Sequence, residues 1–182
     1  SIHTVAAGGG SILHFDGAAW TTMASGTSLG LDDLWGFAAD AVYAAGANGA
    51  FLRYDGTAWG PAGPVPPRFI TGLWGTSPTD IFATSVWASS DEFIVRVVRF
   101  DGSAWSEMPL PTERALHGIW GSSSGNVFAV GELSLLRYDG AEWRQEHHVP
   151  TVESAGAVWG SSANNVFVVG VNAILHRCGP AW

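Results

Sequence analysis

The 182-residue chain contains no lysine, and its formal charge of −8 arises from eight arginines set against sixteen acidic residues. Binding to nucleic acid without regard to base sequence needs clustered cations that displace counterions. An acidic chain without lysine therefore argues against a nucleic-acid partner.

Cysteine is almost absent, since Cys178 is the single one. One cysteine excludes an internal disulfide framework and a Cys-rich zinc site. The segment EHH (Glu146–His148) and nearby His117 give the only hint of a metal site. Adjacent histidines on a strand point to opposite faces, which is poor geometry for a shared ion, so we expect no metal and no cofactor.

Long apolar runs are also missing, and none approaches the ~18 residues that a membrane-spanning helix needs. Helical spacing is not sustained over any ten residues. The chain starts at Ser1 with no charged-then-apolar leader, so we expect a processed chain or a piece of a longer one.

Two series of tryptophans recur at nearly constant separation, which indicates internal repeats. One series follows an Asp-Gly phrase, as in RYDGTAW, and contains Trp20, Trp59, Trp105, Trp143 and Trp182. The other precedes a glycine and contains Trp35, Trp74, Trp120 and Trp159. The separations are 38 or 39 residues except for one of 46, which both series place in the same repeat.

Within each repeat, short runs of β-branched and aromatic residues alternate with turn signals, which predicts four short strands, A to D. A four-stranded unit that recurs about every 40 residues is typical of β-propeller blades. A single sheet of this kind can bury both of its faces only by stacking against neighbouring sheets. We expect an all-β propeller forming a single domain. Its predicted units are 1–30, which lacks strand A, then 31–69, 70–114, 115–153, and 154–182, which stops at the start of strand D.

A closed five-blade ring would need about half a repeat more. Three explanations remain open: further residues, a second chain that completes the ring, or an arc of a larger propeller. Exposed sheet edges invite pairing with other strands, which keeps an oligomer among the expectations.

The Asp-Gly phrase is predicted to join strands C and D, with Asp accepting backbone N–H groups and Gly taking a positive φ. The phrase resembles the Asp-box (BNR-type) repeats of sialidase-like propellers, and with IWGSS…NVFAVG it is similar to bacterial propeller repeats with WG and YDG-x-x-W phrases. The resemblance implies a structural role for the turn aspartates Asp16, Asp55, Asp101 and Asp139. The phrase in this chain differs from the Asp-box because the leading Ser is absent and Asp is followed directly by Gly.

The same resemblance implies a test for catalysis, because sialidase-like enzymes use an arginine triad, a Tyr nucleophile assisted by Glu, and an Asp acid. Tyr43, Tyr54 and Tyr138 sit at repeat positions that apolar residues fill elsewhere, and the arginines outside strand C show no triad. No serine-nucleophile elbow, phosphate loop or HExxH helix is present. We predict that the chain is not an enzyme and has no catalytic residues.

Ligand contacts are expected where the repeat is broken, on the end that carries the B–C turns and the D–A connections. The third repeat holds seven extra residues in its predicted B–C turn, Thr84 to Phe93, which includes the only tryptophan outside both series. A Trp beside acidic residues is typical of a sugar-stacking site or a protein hot spot, although it could simply cover the longer hairpin. The candidate ligand-binding residues are Trp87, Asp91, Glu92, Arg68, Arg114, Glu132 and His148.

The sequence therefore predicts a non-catalytic binding module for a glycan or a protein, in a secreted or surface-exposed bacterial protein. Two alternatives remain: a structural or assembly subunit with no small-molecule ligand, and a glycoside-active enzyme on an Asp-box-like propeller.

Overall fold

A computed structural model describes residues 3–7, 10–66, 69–88, 93–112, 114–146, 154–171, 173–179 and 181–182, with the backbone alone described at 3–7, 88 and 93. These residues form five antiparallel sheets, which we number blades 1 to 5 in chain order. The strands are β1 (His3–Ala7), β2 (Ser11–Phe15) and β3 (Trp20–Ala24) in blade 1; β4 (Leu31–Ala38), β5 (Ala41–Gly46), β6 (Phe51–Tyr54) and β7 (Trp59–Pro61) in blade 2; β8 (Ile70–Ser77), β9 (Asp80–Ala88), β10 (Phe93–Phe100) and β11 (Trp105–Met108) in blade 3; β12 (Leu116–Ser123), β13 (Asn126–Gly131), β14 (Ser134–Tyr138) and β15 (Trp143–Gln145) in blade 4; and β16 (Ala155–Ser162), β17 (Asn165–Gly170) and β18 (Ala173–Cys178) in blade 5.

Blades 2, 3 and 4 each contain strands A to D in chain order, whereas the described strands of blades 1 and 5 number three each. Blade 1 has B, C and D, because its Asp-Gly turn joins the second and third strands. Blade 5 has A, B and C, and a bridge between Cys178 and Ala181 marks the start of D. The prediction of an all-β chain with incomplete first and last units is confirmed.

The four A strands lie side by side in blade order, so that β4 contacts β8, β8 contacts β12, and β12 contacts β16. The other strands follow outward from this row, and each interior blade is covered on both faces. The B strands of blades 2 and 4 are consequently buried at every position. Burial on both faces explains why these strands are continuous apolar runs rather than alternating ones.

In blades 4 and 5, the glycine of the WG pair is where the tryptophan of the preceding blade packs. A Cβ on Gly121 would lie 2.6 Å from the Trp74 ring, and a Cβ on Gly160 would lie 2.6 Å from the Trp120 ring. The Trp35 indole N–H donates to the Gly75 carbonyl at 2.9 Å. Only a residue without a side chain leaves room for that ring, so the repeated WG pair is an interblade contact.

The Asp-Gly turns close the C–D hairpins through the aspartate side chain. Asp55 Oδ1 accepts the N–H groups of the second and third residues after it, at 2.8 and 2.9 Å, and Gly56 has a φ of 97°. The same pair of bonds recurs at Asp16, Asp101 and Asp139. These N–H donors lower the pKa of all four carboxyl groups, to about 2 for Asp55.

The fifth turn keeps its shape without the aspartate. Cys178 donates its N–H to the Ala181 carbonyl at 3.0 Å, and Gly179 has a φ of 72°. Pro180 follows in sequence and has no N–H to donate. An aspartate at position 178 would therefore have only one of the usual two backbone donors.

The basic residue of strand C is held within its own blade in blades 3, 4 and 5. Arg99 lies over the Phe82 ring at 5.0 Å and donates Nε–H to Asp80 Oδ1 at 2.7 Å. Arg137 makes the equivalent bond to Asn126 at 2.7 Å, and the His176 ring contacts Asn165 at 2.7 Å. These residues brace strand C against strand B, so they do not converge on an anion.

The insertion in blade 3 lengthens the hairpin strands, which corrects the prediction of a long B–C turn. β9 extends to Ala88 and β10 begins at Phe93, and the two pair through Val86–Val95 and Trp87–Ile94. Apolar and β-branched residues on both arms allow the ladder to continue. The turn itself lies outside the described residues.

Candidate ligand-binding cleft

The B–C turns and D–A connections lie together at one end of the blades, which we call the loop surface. In blades 2, 4 and 5 a backbone N–H at the B–C turn, and in blade 3 the N–H of Val86 within β9, donates to the carbonyl of the residue directly before strand A of the same blade. The pairs are Ala47 to Gly30 at 2.9 Å, Val86 to Phe69 at 3.0 Å, Glu132 to Ala115 at 2.9 Å and Val171 to Ser154 at 3.0 Å. The loop surface is therefore fixed to the scaffold by main-chain bonds.

Of the seven predicted ligand residues, three are in the described part of the chain. Trp87 is half-buried in β9, within the lengthened hairpin rather than in a loop. Arg114 is exposed in the D–A connection before β12, and Glu132 is exposed at the B–C turn of blade 4. Arg68, Asp91, Glu92 and His148 lie outside the described residues.

Arg114 lies beside two shallow grooves on the D–A connection of blade 3. One encloses about 610 Å³ and is lined by Arg114 and by residues 110–112. The other encloses about 320 Å³, and its walls include Arg96 and Glu107, which form an ion pair at 3.0 Å. Trp87 and Glu132 do not line either groove, so the predicted residues are not brought to one point.

A third cavity, the central cleft, lies along the row of A strands and encloses about 370 Å³. The volume falls within the range of small-ligand pockets. The four A strands form its walls, through the residues that directly precede the WG tryptophan in each strand. Its polar side chains come from the start of strand A in three blades: Asp32, Asp33, Thr71 and His117.

Asp33 spans the seam between blades 2 and 3. Its Oδ1 accepts the N–H of Leu34 at 2.8 Å, and its Oδ2 accepts the N–H of Leu73 at 2.7 Å. Burial raises the pKa of Asp33 to about 6, against the lowering effect of those two hydrogen bonds. Removal from water is thus the larger influence on this carboxyl group.

Thr71 makes the corresponding link at the next seam. Its hydroxyl donates to the Leu116 carbonyl of blade 4 at 3.0 Å and contacts Thr84 Oγ1 at 3.0 Å. Asp33 and Thr71 are therefore engaged with the scaffold, whereas the Asp32 side chain is exposed. Asp32 is the cleft carboxylate best placed to meet a ligand.

Sequence reasoning missed Asp32, Asp33 and Thr71, and considered His117 only as a metal ligand. The signal was present in the repeat. Each strand A begins with an apolar residue and has an aliphatic residue directly before its WG pair, whereas the first of the two positions between them differs in every copy and the second is glycine in two copies. They are Asp32-Asp33, Thr71-Gly72, His117-Gly118 and Gly156-Ala157.

Two other kinds of site are absent from the described part of the chain. No group of three or more His, Cys, Asp or Glu side chains there could hold a metal ion. No helix among the described residues is both long and apolar enough to cross a bilayer.

Comparison with solved structures identifies the architecture. The chain is similar to YCF48 from Cyanidioschyzon merolae (15% identity, TM-score 0.70, covering 98% of this chain and 64% of that one). It is also similar to the WD40 β-propeller domain of Doa1 (10% identity, TM-score 0.70, covering 96% and 59%). The fold is a β-propeller. This confirms the predicted fold class of four-stranded antiparallel blades.

Further similarities involve an extracellular domain and a peptide complex. The extracellular domain of BT4673 from B. thetaiotaomicron matches at 11% identity and a TM-score of 0.69, covering 95% of this chain and 25% of that one. YCF48 bound to D1 peptide matches at 16% identity and a TM-score of 0.53, covering 93% and 71%. This propeller spans about 60% of the length of the Doa1 domain and of the first YCF48 structure.

Sequence comparison does not extend the likeness. No family model matches the chain, and no curated protein matches it. At such low identities the structural matches show the fold alone, so the resemblance to Asp-box repeats stays a prediction.

Proposed function

We propose that this propeller is a non-catalytic binding module whose central cleft and loop surface take a segment of a protein partner carrying an Arg or Lys side chain. The observation that carries the proposal is the divergence of the A strands at the cleft. Residues that form the scaffold repeat from blade to blade, whereas the lining positions hold Asp32, Asp33, Thr71 and His117.

The charge and the aromatic lining of the cleft favour a cation. Asp32 is an exposed carboxylate at the cleft, and a guanidinium or ammonium group pairs strongly with such an acceptor. The half-buried Trp35 and the exposed Trp159 also line the cleft, and indole faces attract cations. The formal charge of −8 would steer a basic segment toward the chain over a longer range.

A protein partner is supported by the peptide complex of the similar propeller YCF48. Binding without catalysis is supported by the hydrogen bonds that the cleft side chains already make to the scaffold. Both oxygens of Asp33 accept backbone N–H groups, and the Thr71 hydroxyl is bonded to a carbonyl. A general base or nucleophile needs a group that is available to the substrate.

A location outside the cytoplasm is the second part of the proposal. Its support is the likeness to several extracellular propeller domains. A reporter fusion measured in periplasmic, surface and cytoplasmic fractions of a bacterial host tests it, and recovery only in the cytoplasm contradicts it.

An array of short synthetic peptides, with and without Arg or Lys, tests the ligand class, and a glycan array is run in parallel. We expect binding to basic peptides and about tenfold weaker binding by Asp32→Asn, because a charge-assisted hydrogen bond contributes roughly 1.5–3 kcal/mol. Asp40→Asn is the matched control, since it removes the same charge from an exposed residue in the A–B turn at the opposite end.

Equal affinity of the two variants for every bound peptide would contradict the assignment to the cleft. Binding to glycans alone would replace the protein partner with a carbohydrate one. Hydrolysis of any arrayed glycoside would contradict the non-catalytic reading.

A further inference from the structure

Each interior blade buries one apolar side against the next blade along the chain, which we call its forward face. In blade 4, cross-strand pairing sets its members, which are the WG tryptophan of strand A, the third and fifth residues of strand B, and the strand C residue that pairs with the fifth. In blade 4, Trp120, Val130 and Leu135 are 6%, 0% and 7% exposed. The forward face is thus a standard internal contact of this chain.

Blade 5 has the same forward face and leaves it in solvent. The equivalent side chains, Trp159, Val169 and Ile174, are 58%, 47% and 69% exposed. Three large apolar residues on adjoining strands form a contiguous patch, which marks an interaction surface rather than scattered exposure.

The interior blades show what covers a forward face. The covering side, which we call the rear face, presents the last aromatic residue of strand C and the tryptophan that starts strand D. On the forward face of blade 2, Phe51 contacts Phe100 at 5.5 Å and Trp105 at 5.1 Å between ring centroids. On that of blade 4, Phe128 meets Trp182 at 5.9 Å.

Blade 1 carries such a rear face with no blade against it. Phe15 and Trp20 lie 5.2 Å apart, and the corresponding pairs of the interior blades, Tyr54–Trp59, Phe100–Trp105 and Tyr138–Trp143, lie 5.4, 5.1 and 5.4 Å apart. Trp20 is nevertheless 50% exposed, against 9% for Trp59 and 4% for Trp143. The aromatic pair is therefore preformed for a contact that the described residues do not supply.

We propose that the rear face of blade 1 in one copy docks on the forward face of blade 5 in a second copy, head to tail. The two surfaces are the two halves of the interblade contact that the chain already makes internally, so a second copy provides a matching partner for both. Such a heterologous contact builds rings or open chains of copies rather than a closed two-fold dimer. The inference does not depend on the ligand of the central cleft.

Light scattering coupled to size-exclusion chromatography tests the assembly. We expect the mass of the 182-residue chain to rise beyond that of a dimer over about a hundredfold range of concentration, because association depends on protomer concentration. Trp20→Asp on the rear face and Ile174→Asp on the forward face should each give a monomer. Both side chains are exposed, so neither change disturbs the core.

Mixing the two variants distinguishes this contact from nonspecific adhesion. Each retains one intact face, so the mixture should give a 1:1 dimer that grows no further. Val65→Asp is the matched control, because it charges a valine that is 74% exposed in the D–A connection of blade 2, and it should assemble as the parent chain does.

A parent chain that stays monomeric over the whole concentration range would overturn the proposal. A mixture of folded variants that remains monomeric, or a Val65→Asp chain that also fails to assemble, would do the same. Circular dichroism checks folding, and Val169→Asp provides a second forward-face variant if Ile174→Asp unfolds.

Discussion

Ionisation of Asp33 should make this propeller less stable as pH rises from about 4 to about 6. The folded pKa is about 6 and the unfolded value is 3.8, so the folded state holds the proton more tightly. The stabilisation is fully present below the unfolded pKa and is lost as pH rises through the folded one. A difference of about two pKa units corresponds to about 3 kcal/mol, and we take this as an upper value because Asp33 is half-buried and cleft water screens it.

Denaturant titrations between pH 4 and pH 7, followed by tryptophan fluorescence, measure this effect in the parent chain and in Asp33→Asn. The asparagine cannot ionise, so the free-energy difference between the two chains should change by up to about 3 kcal/mol across the window. Asp55→Asn is the internal comparison. Backbone N–H donors lower the pKa of Asp55 to about 2, so its contribution is lost only as pH falls below about 4, with the opposite sign, and the difference curve for Asp55→Asn should be flat between pH 4 and pH 7.

A difference curve for Asp33→Asn that stays flat from pH 4 to pH 7 would refute the reasoning. It would mean that the bonds from Leu34 and Leu73 compensate the carboxylate fully for its removal from water.

Two further predictions concern packing between blades. Gly121→Ala should lower the free energy of unfolding by about 1–3 kcal/mol, because the new Cβ would lie 2.6 Å from the Trp74 ring. Gly60→Ala is the control, because no atom lies within 4 Å of its new Cβ. Equal denaturation midpoints of the two variants would contradict this prediction. Arg177 has a side chain only 8% exposed and pairs with Glu146 at 3.6 Å, so Glu146→Gln, which leaves that charge without its carboxylate, should cost about 3 kcal/mol. Arg177→Tyr should be neutral or stabilising, since strand C holds Phe or Tyr at this position in the other blades. A larger loss of unfolding free energy for Arg177→Tyr than for Glu146→Gln in the same titration would contradict this.

The fold could be predicted because its signals are local and repeated. An Asp-Gly turn, a WG pair and a run of apolar residues each depend on a few neighbouring residues, and the Asp-Gly turn and the strand A WG pair each occur four times. The structure adds the reason for the WG glycine, which the sequence could not supply. Its contact is with Trp74 or Trp120 in the preceding blade, some 40 residues away.

The candidate site was harder to predict because ligand-facing positions leave no repeated phrase. Asp33 lies in strand A, where sequence reasoning saw only scaffold, and its partner Leu73 is in another blade. The blade 3 insertion was wrongly predicted to lengthen a turn, because an excess of seven residues does not by itself distinguish a longer turn from longer strands. Val86 and Val95 are β-branched and pair across the hairpin, which indicates longer strands.

The contact between the WG tryptophan of an interior blade and the glycine of the next blade has a consequence for how such a chain can change length. Both partners occupy the same pair of positions in every copy, so removing or duplicating one whole repeat joins a tryptophan to an equivalent glycine. Gain or loss of part of a repeat would instead leave a ring facing a side chain. The fold should therefore tolerate duplication or deletion of whole repeats. The number of repeats can change among variants of this protein, whereas the length of one repeat should not.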